Sequence, residues 1–386
     1  MLDEYRHIVS YCFEGNTSFE LQRAQGFEAF VNFEIGQFTV AEILATYTDN
    51  ILRKNGLKLP QDQFEAQLEK VVKLFAHLTD KDIFIESFKN FMAKRLLSEK
   101  SESIDYERCI VTKLKVNCGR TVTDSIEGMM SDLELAKDHA KKYAEHKSER
   151  SLEDPIDFDI KILTTSYWPT YKSFELSVPA EIKCCMDSFT AYYTRQQQNH
   201  HRELKWNFAM GTAIVAARLP GSGKPYDLVV STYQMCVLYL FNYQKELTIA
   251  EVAEHMGFDE ETAKKNMQSL MTPKARMLIH DNGKFKVNPK FNSPLRRVNF
   301  PVPMLEESVK KERITQDRSH AVDAALVRIM KSRKQMKLTD LRLEVVTLMQ
   351  TFKPDDALIK KRLESLIERE YMEREKNDPT IIVYKA

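Results

Sequence analysis

The 386 residues carry 57 Lys and Arg against 56 Asp and Glu, a net charge of +1, so no global field exists to hold nucleic acid or an anionic membrane. With 43% hydrophobic and 29% charged residues the chain is neither a disordered tail nor a collagen-like repeat, and its length predicts two to four domains. Only 11 glycines and 13 prolines, against abundant Leu, Glu, Lys and Ala, favour a mainly α chain with a smaller α/β part.

Residues 1–150 are predicted to form an antiparallel helical bundle. Phe64, Leu68, Val71, Val72, Phe75 and Leu78 fall at offsets 0, 4, 7, 8, 11 and 14, one apolar stripe sustained over about four turns. Ile43, Leu44, Tyr47, Ile51 and Leu52 repeat the pattern upstream; Phe84, Phe88, Phe91, Met92 and Leu96, then Ile126, Met129, Met130 and Leu133, repeat it downstream. The start, Met1-Leu2-Asp3-Glu4-Tyr5-Arg6, lacks the basic-then-apolar pattern of a signal peptide.

Charge gathers over 145–154, which predicts a linker, and a mixed α/β region is expected over 151–305. Phe158, Ile160 and Ile162 alternate with Asp157, Asp159 and Lys161, and Phe174, Leu176 and Val178 alternate with Glu175 and Ser177. That alternation predicts two half-buried strands separated by a turn around Trp168-Pro169. The longest uncharged apolar run, 228–243, includes Ser231, Thr232, Gln234 and Asn242, so no segment reads as a membrane span.

An internal repeat follows. In the first copy a helix over 249–256 stops at Gly257, Asp259 caps a second helix to about 271, and an extended 277–280, the turn Asn282-Gly283 and a strand over 285–287 complete it. In the second, a helix over 339–350, Pro354-Asp355-Asp356, a helix to about 369, an extended 371–374, a turn at 377–379 and a strand over 381–384 recur in the same order. Helix-turn-helix followed by a β-hairpin predicts two winged-helix modules, the second within a region spanning 306–386.

Most candidate chemistry fails on spacing. Gly221-Ser222-Gly223-Lys224 has Arg218 where a phosphate loop needs glycine and Pro225 where it needs Ser or Thr, so it reads as a solvated hairpin turn. His200-His201-Arg202-Glu203 lacks the His-Glu-x-x-His spacing that puts two imidazoles on one helix face, so it reads as a surface turn. The six cysteines form no Cys-x-x-Cys pair and none stands beside a His, the pattern of free thiols in a reducing compartment. No catalytic residue, metal site or cofactor is predicted. The second helix of each repeat mixes Lys264, Lys265, Lys360, Lys361 and Arg362 with Glu260, Glu261, Glu364 and Glu368, a balance that neutralises few phosphates and points to protein contact instead. One lysine stands out. Val322, Ala325, Leu326 and Ile329 share one helix face, and Lys331 points about 180° from Val322 on the helical wheel. Its amine is thus offered to solvent among Arg328, Arg333 and Lys334, a basic set suited to an acidic partner surface, although the wheel puts Arg333 on the apolar side.

The stretch Val322-Asp323-Ala324-Ala325-Leu326-Val327-Arg328-Ile329-Met330-Lys331-Ser332-Arg333-Lys334 resembles the neddylation signature of cullins, I-D-A-A-I-V-R-I-M-K-x-R-K. Asp80-Lys81-Asp82-Ile83-Phe84, Ala93-Lys94-Arg95-Leu96, Thr112-Lys113-Leu114-Lys115 with Cys118-Gly119, Leu163-Thr164-Thr165-Ser166-Tyr167-Trp168-Pro169, Ser231-Thr232-Tyr233-Gln234-Met235 and Phe352-Lys353-Pro354 resemble further blocks of that family in the same order. The resemblance is to the C-terminal half of a plant-like cullin of the SCF type, and it departs at Lys89, at Ser125 and at the ending Tyr384-Lys385-Ala386. It implies a helical bundle, an α/β cullin-homology region and two winged-helix modules in a non-catalytic scaffold of a cytoplasmic and nuclear ubiquitin ligase. Lys331 would accept a ubiquitin-like modifier, with Arg328, Arg333 and Lys334 recognised by the modifying enzyme. A RING-box protein, which would hold the zinc, would add a strand near Phe158, Ile160, Ile162 and Trp168. Further partners so implied are the neddylation conjugating enzyme, an exchange factor and a deneddylating complex, and the modifier would free the second winged helix about a hinge over 306–317. The rival expectations are a short cullin-like decoy that sequesters the RING-box protein, and a winged-helix nucleic-acid binder.

Overall fold

In the computed structural model the described residues are 2–385, apart from 34–35, 37, 55, 58–59, 150–154, 171–173, 175, 197–200, 220–223, 274, 304–306, 350 and 376–377. They fall into two compact units, Met1–Gly128 together with Ser308–Ala386, and Met129–Glu307. The mainly helical chain with a small sheet part agrees with the sequence reading. The calls on Gly221-Ser222-Gly223, His200 and the turn at Asn377 lie outside the described residues.

The first unit begins with α1 (Leu2–Cys12), α2 (Thr17–Val31), α3 (Val40–Leu52), α4 (Gln61–Ala76), α5 (Lys81–Leu97) and α6 (Ile104–Cys118). Thr39 and Glu42 close a capping box that starts α3. The α4 stripe is buried as expected at Phe64, Leu68, Val71 and Phe75, and α5 buries Phe84, Phe88, Met92 and Leu96. On α3 only Leu44, Ile51 and Leu52 of the predicted stripe are buried, while Ile43 and Tyr47 remain exposed, because two adjacent apolar positions span more of the wheel than one contact face covers. Three helices are tied together by charge. Arg95 on α5, 1% exposed, donates to both carboxylate oxygens of Glu107 on α6 at 2.9 and 2.8 Å and to Asp49 on α3 at 2.5 Å.

Next comes α7 (Arg120–Glu149), which takes in residues 145–149 of the predicted linker. Glu145, Lys147 and Glu149 are strong helix formers, so charge there marks a solvated helix face, not a break. The second unit continues with α8 (Ala180–Arg195), β1 (Thr212–Ala217), β2 (Tyr226–Ser231), α9 (Thr232–Leu240), β3 (Glu246–Leu247), α10 (Ile249–Met256), α11 (Glu260–Ser269), β4 (Met271–Thr272), β5 (Ala275–Arg276), β6 (Leu278–Asp281), β7 (Lys284–Val287) and β8 (Arg297–Asn299). β2 lies between antiparallel β1 and parallel β8, and β7 between β3 and β6. Gly257 ends α10 in the left-handed conformation at φ 67°, which glycine alone adopts without a Cβ penalty. The two strands predicted around Phe158–Ile162 and Phe174–Val178 form no ladder among the described residues. Their alternation comes from packing: Ile160 and Ile162 rest on Tyr143, Phe189 and Tyr193, and Phe174, Leu176 and Val178 on the core built from β2, α9 and α10.

The chain then supplies the rest of the first unit with α12 (Glu307–Arg333), β9 (Gln335–Lys337), α13 (Leu338–Leu348), α14 (Asp356–Glu368), β10 (Met372–Arg374) and β11 (Ile381–Tyr384). β11 is the central strand of an antiparallel sheet, with β10 and β9 on either side. Residues 307–317 of the predicted hinge are helical, the opening turns of α12, while 306 lies outside the described residues.

None of the six cysteines is in a disulfide. Cys12 and Cys184 are exposed, whereas burial pushes the Cys118 thiol up to about 11 and that of Cys236 up to about 12. The thiolate is the nucleophile, and a raised pKa keeps it scarce at pH 8. Iodoacetamide at pH 8 therefore labels Cys12 and Cys184 in the native protein, while Cys118 and Cys236 react only on unfolding, as peptide mass spectrometry will show.

Candidate functional site

On α12, Val322, Ala325, Leu326, Ile329 and Met330 are buried against Leu341, Val345, Ile359, Leu363 and Ile382. With that face committed to the core, the opposite one is left to solvent. Lys331, in the last turn, is exposed, and among the described residues no carboxylate pairs with its amine. Arg328, one turn earlier, is exposed too. The other predicted cations are engaged: Arg333 Nη2 reaches Glu344 Oε1 at 3.1 Å, and the Lys334 ammonium sits 5.1 Å from the centre of the Tyr384 ring. The helix stops just there. Lys334 takes a positive φ of 66°, its N–H closes on Met330 O at 2.8 Å, and its C=O accepts from Tyr384 N–H at 2.8 Å. This early stop explains why Arg333 is exposed although the wheel put it on the apolar side.

Two partners that set the pose of α12 were not foreseen. Asp323 accepts from Arg362 of α14, Nε to Oδ1 at 2.7 Å with a second, shorter contact from Nη2, and lies 3.7 Å from Arg369 Nη1. Arg318 reaches Asp80 and Asp82, and the alternation of charge along α12 offered no hint of so distant a pairing.

In the second unit, Asp132 of α7 accepts from Thr164 N–H at 2.7 Å, Thr164 Oγ1 at 2.9 Å and Trp168 Nε1 at 2.8 Å. Trp168 is thus a buried anchor of this turn. The anchored turn leads back to the extended stretch holding Phe158, Ile160 and Ile162, all half-buried. A second extended stretch, 202–208, turns Leu204 and Trp206 onto the same aromatic floor, and the Phe158 and Trp206 rings lie 6.3 Å apart. Neither stretch joins a ladder among the described residues. The alternation of Leu204, Trp206 and Phe208 with Glu203, Lys205 and Asn207 was the available signal for it.

Comparison with known proteins covers each of these regions. Residues 1–140 match the cullin alpha solenoid domain, residues 162–293 the cullin alpha+beta domain, and residues 317–378, with Lys331 inside, the cullin protein neddylation domain. The chain belongs to the cullin family. This cullin is 40% identical over 396 residues to Cullin-1 of Oryza sativa subsp. japonica, 38% over 397 to Cullin-2 of Arabidopsis thaliana and 34% over 398 to Cullin-4A of Homo sapiens. Each alignment takes in 100% of this chain and 53%, 53% and 51% of the respective relative, so this cullin spans about half the length of the curated relatives it matches. Among the described residues of this cullin no helix is long and apolar enough to cross a membrane.

Proposed function

We propose that this chain is the scaffold portion of a cullin–RING ubiquitin ligase, binding a RING-box protein and accepting a ubiquitin-like modifier on Lys331. The observation that carries the reading is the exposed Lys331 amine, unpaired among the described residues, on a helix whose other face is buried, inside the matched neddylation domain. In the transfer, the deprotonated Nζ attacks the thioester carbonyl of a modifier carried by its conjugating enzyme. The C–N bond forms, the C–S bond breaks, the enzyme's thiolate leaves and the amine's proton passes to solvent. Chain chemistry beyond that nucleophile is not required, which is the sense in which the protein is a scaffold and not an enzyme.

Arg328 stands one turn from Lys331 with its guanidinium exposed, in a position to meet an acidic surface on the modifying enzyme. The helix–helix–hairpin order of α10–α11–β6–β7 and of α13–α14–β10–β11 supports two winged-helix modules, the second carrying the acceptor helix. For the RING-box protein, strand addition suits the extended stretches around Ile160 and Trp206, which have an aromatic floor beneath and no ladder beside them among the described residues. Zinc would belong to that partner.

The test is a modification assay on the purified chain with a RING-box protein, the modifier and its activating and conjugating enzymes. A mass gain of one modifier is expected, and it disappears in Lys331→Arg. A gain that persists in Lys331→Arg would refute the assignment of the acceptor.

A further inference from the structure

Two sequence blocks remain without a role in the reading above, Asp80-Lys81-Asp82-Ile83-Phe84 and Phe352-Lys353-Pro354. Both converge on one side chain. Arg318 of α12 donates from Nη2 to Asp80 Oδ1 at 2.8 Å and to Asp82 Oδ1 at 2.8 Å, and from Nε to Asp82 Oδ2 at 2.5 Å. Its guanidinium carbon lies 4.8 Å from the centre of the Phe352 ring, which is 4% exposed and part of the core shared by α12, α13 and α14. Beside it, Asp82 N–H donates to Thr351 O at 3.1 Å. Asp80 and Asp82 stand at the start of α5, where carboxylates also meet the positive end of the helix. Residues 238 apart in sequence thus meet in a half-buried ion cluster, planar and forked on Asp82, the geometry that makes Arg–carboxylate contacts strong and specific.

We infer that Arg318 is an ionic joint that seats the module carrying Lys331 on the helical bundle. The joint sits near the middle of α12, Lys331 lies 13 residues further on, and at 1.5 Å per residue the helix places the acceptor position about 20 Å from it. Because α12 runs unbroken through 318–331, a change of seating at Arg318 is transmitted along a rigid rod and not absorbed by a loop. An ionic joint of this kind opens when salt or a competing charge weakens it, whereas an apolar seam would not. Its consequence for modification rests on the acceptor reading above; the joint itself does not.

The experiment follows amide exchange at Asp82 in the full chain, with the Met330 amide as an internal reference. Arg318→Ala and, as a variant that preserves shape, Asp82→Asn are each expected to speed exchange at residue 82 by at least about tenfold, with residue 330 unchanged. Arg318→Lys, which keeps the charge and loses the fork, should fall between them and the wild type. Raising salt from about 0.05 to about 0.5 M should speed exchange at residue 82 in the wild type and not in Arg318→Ala. Unchanged exchange in Asp82→Asn together with salt independence of the wild type would overturn the joint. Loss of modification at Lys331 with the exchange pattern intact would count against the acceptor reading alone.

Discussion

Arg95→Ala lowers the stability of the helical part of the first unit by about 3–5 kcal/mol, the range for removing one partner from a buried ion cluster. The substitution leaves two buried carboxylates short of a cation: Glu107 keeps only the Ser101 hydroxyl at 2.7 Å, and Asp49 keeps Arg53. It also deletes the aliphatic stem that fills the space beside Phe88, whose ring centre lies 5.7 Å from the guanidinium carbon. Adding Glu107→Gln should recover part of the loss, because the buried charge left without a cation goes with it, so the double variant falls short of the sum of the singles. Exposed Arg120, paired with Asp124 at 3.3 Å, is the contrast: Arg120→Ala stays within about 0.5 kcal/mol. Urea unfolding separates the units, since both tryptophans, Trp168 and Trp206, lie in the second. Arg95→Ala is expected to move the circular-dichroism transition and leave the tryptophan-fluorescence transition in place. A midpoint that does not move in either signal would mean the cluster is replaceable by relaxation of α3 and α6.

Local features were legible where one element carries its own signal. The α4 stripe, Gly257 as the end of α10, and the bounds of β11 follow from periodicity, φ demand and alternation within a few residues, and the structure agrees at each. The exposed Lys331 opposite Val322 is of the same kind, because helix geometry alone separates the two faces. What could not be read depends on groups distant in sequence. Arg318 and Asp80 look like ordinary solvated charges until the fold brings them together, and nothing local in the sequence pairs Trp168 with Asp132. Alternation at Ile160 and Ile162 predicts a half-buried strand, but a period of two reports only which side chains face a core, and hydrogen-bonding partners for the backbone are a separate matter. Likewise the charge over 145–154 predicts a linker, although Glu and Lys also extend a helix, as they do through Glu149.

Asp132→Ala should act on the other unit and on the proposed partner. Its carboxylate satisfies three donors at once, two from Thr164 and the buried indole N–H of Trp168. Alanine leaves the indole donor of Trp168, itself 5% exposed, without an acceptor, while the exposed Thr164 can turn to water, a loss of about 1–3 kcal/mol. The tryptophan-fluorescence transition should shift to lower urea while the part of the circular-dichroism change arising from the first unit does not, the converse of Arg95→Ala. Asp132→Asn keeps one acceptor oxygen and should cost less. Since the 164–168 turn holds the end of the extended stretch bearing Ile160 and Ile162, its loosening removes the preorganisation on which strand addition depends. Affinity for a RING-box protein, measured by calorimetry, is therefore expected to fall by at least about tenfold in Asp132→Ala, whereas Arg318→Ala leaves it unchanged. Undiminished affinity in Asp132→Ala, with the fluorescence transition shifted as expected, would place the RING-box strand elsewhere, and the outer edge of β1, unpaired among the described residues and with Ile214 61% exposed, would be the next surface to test.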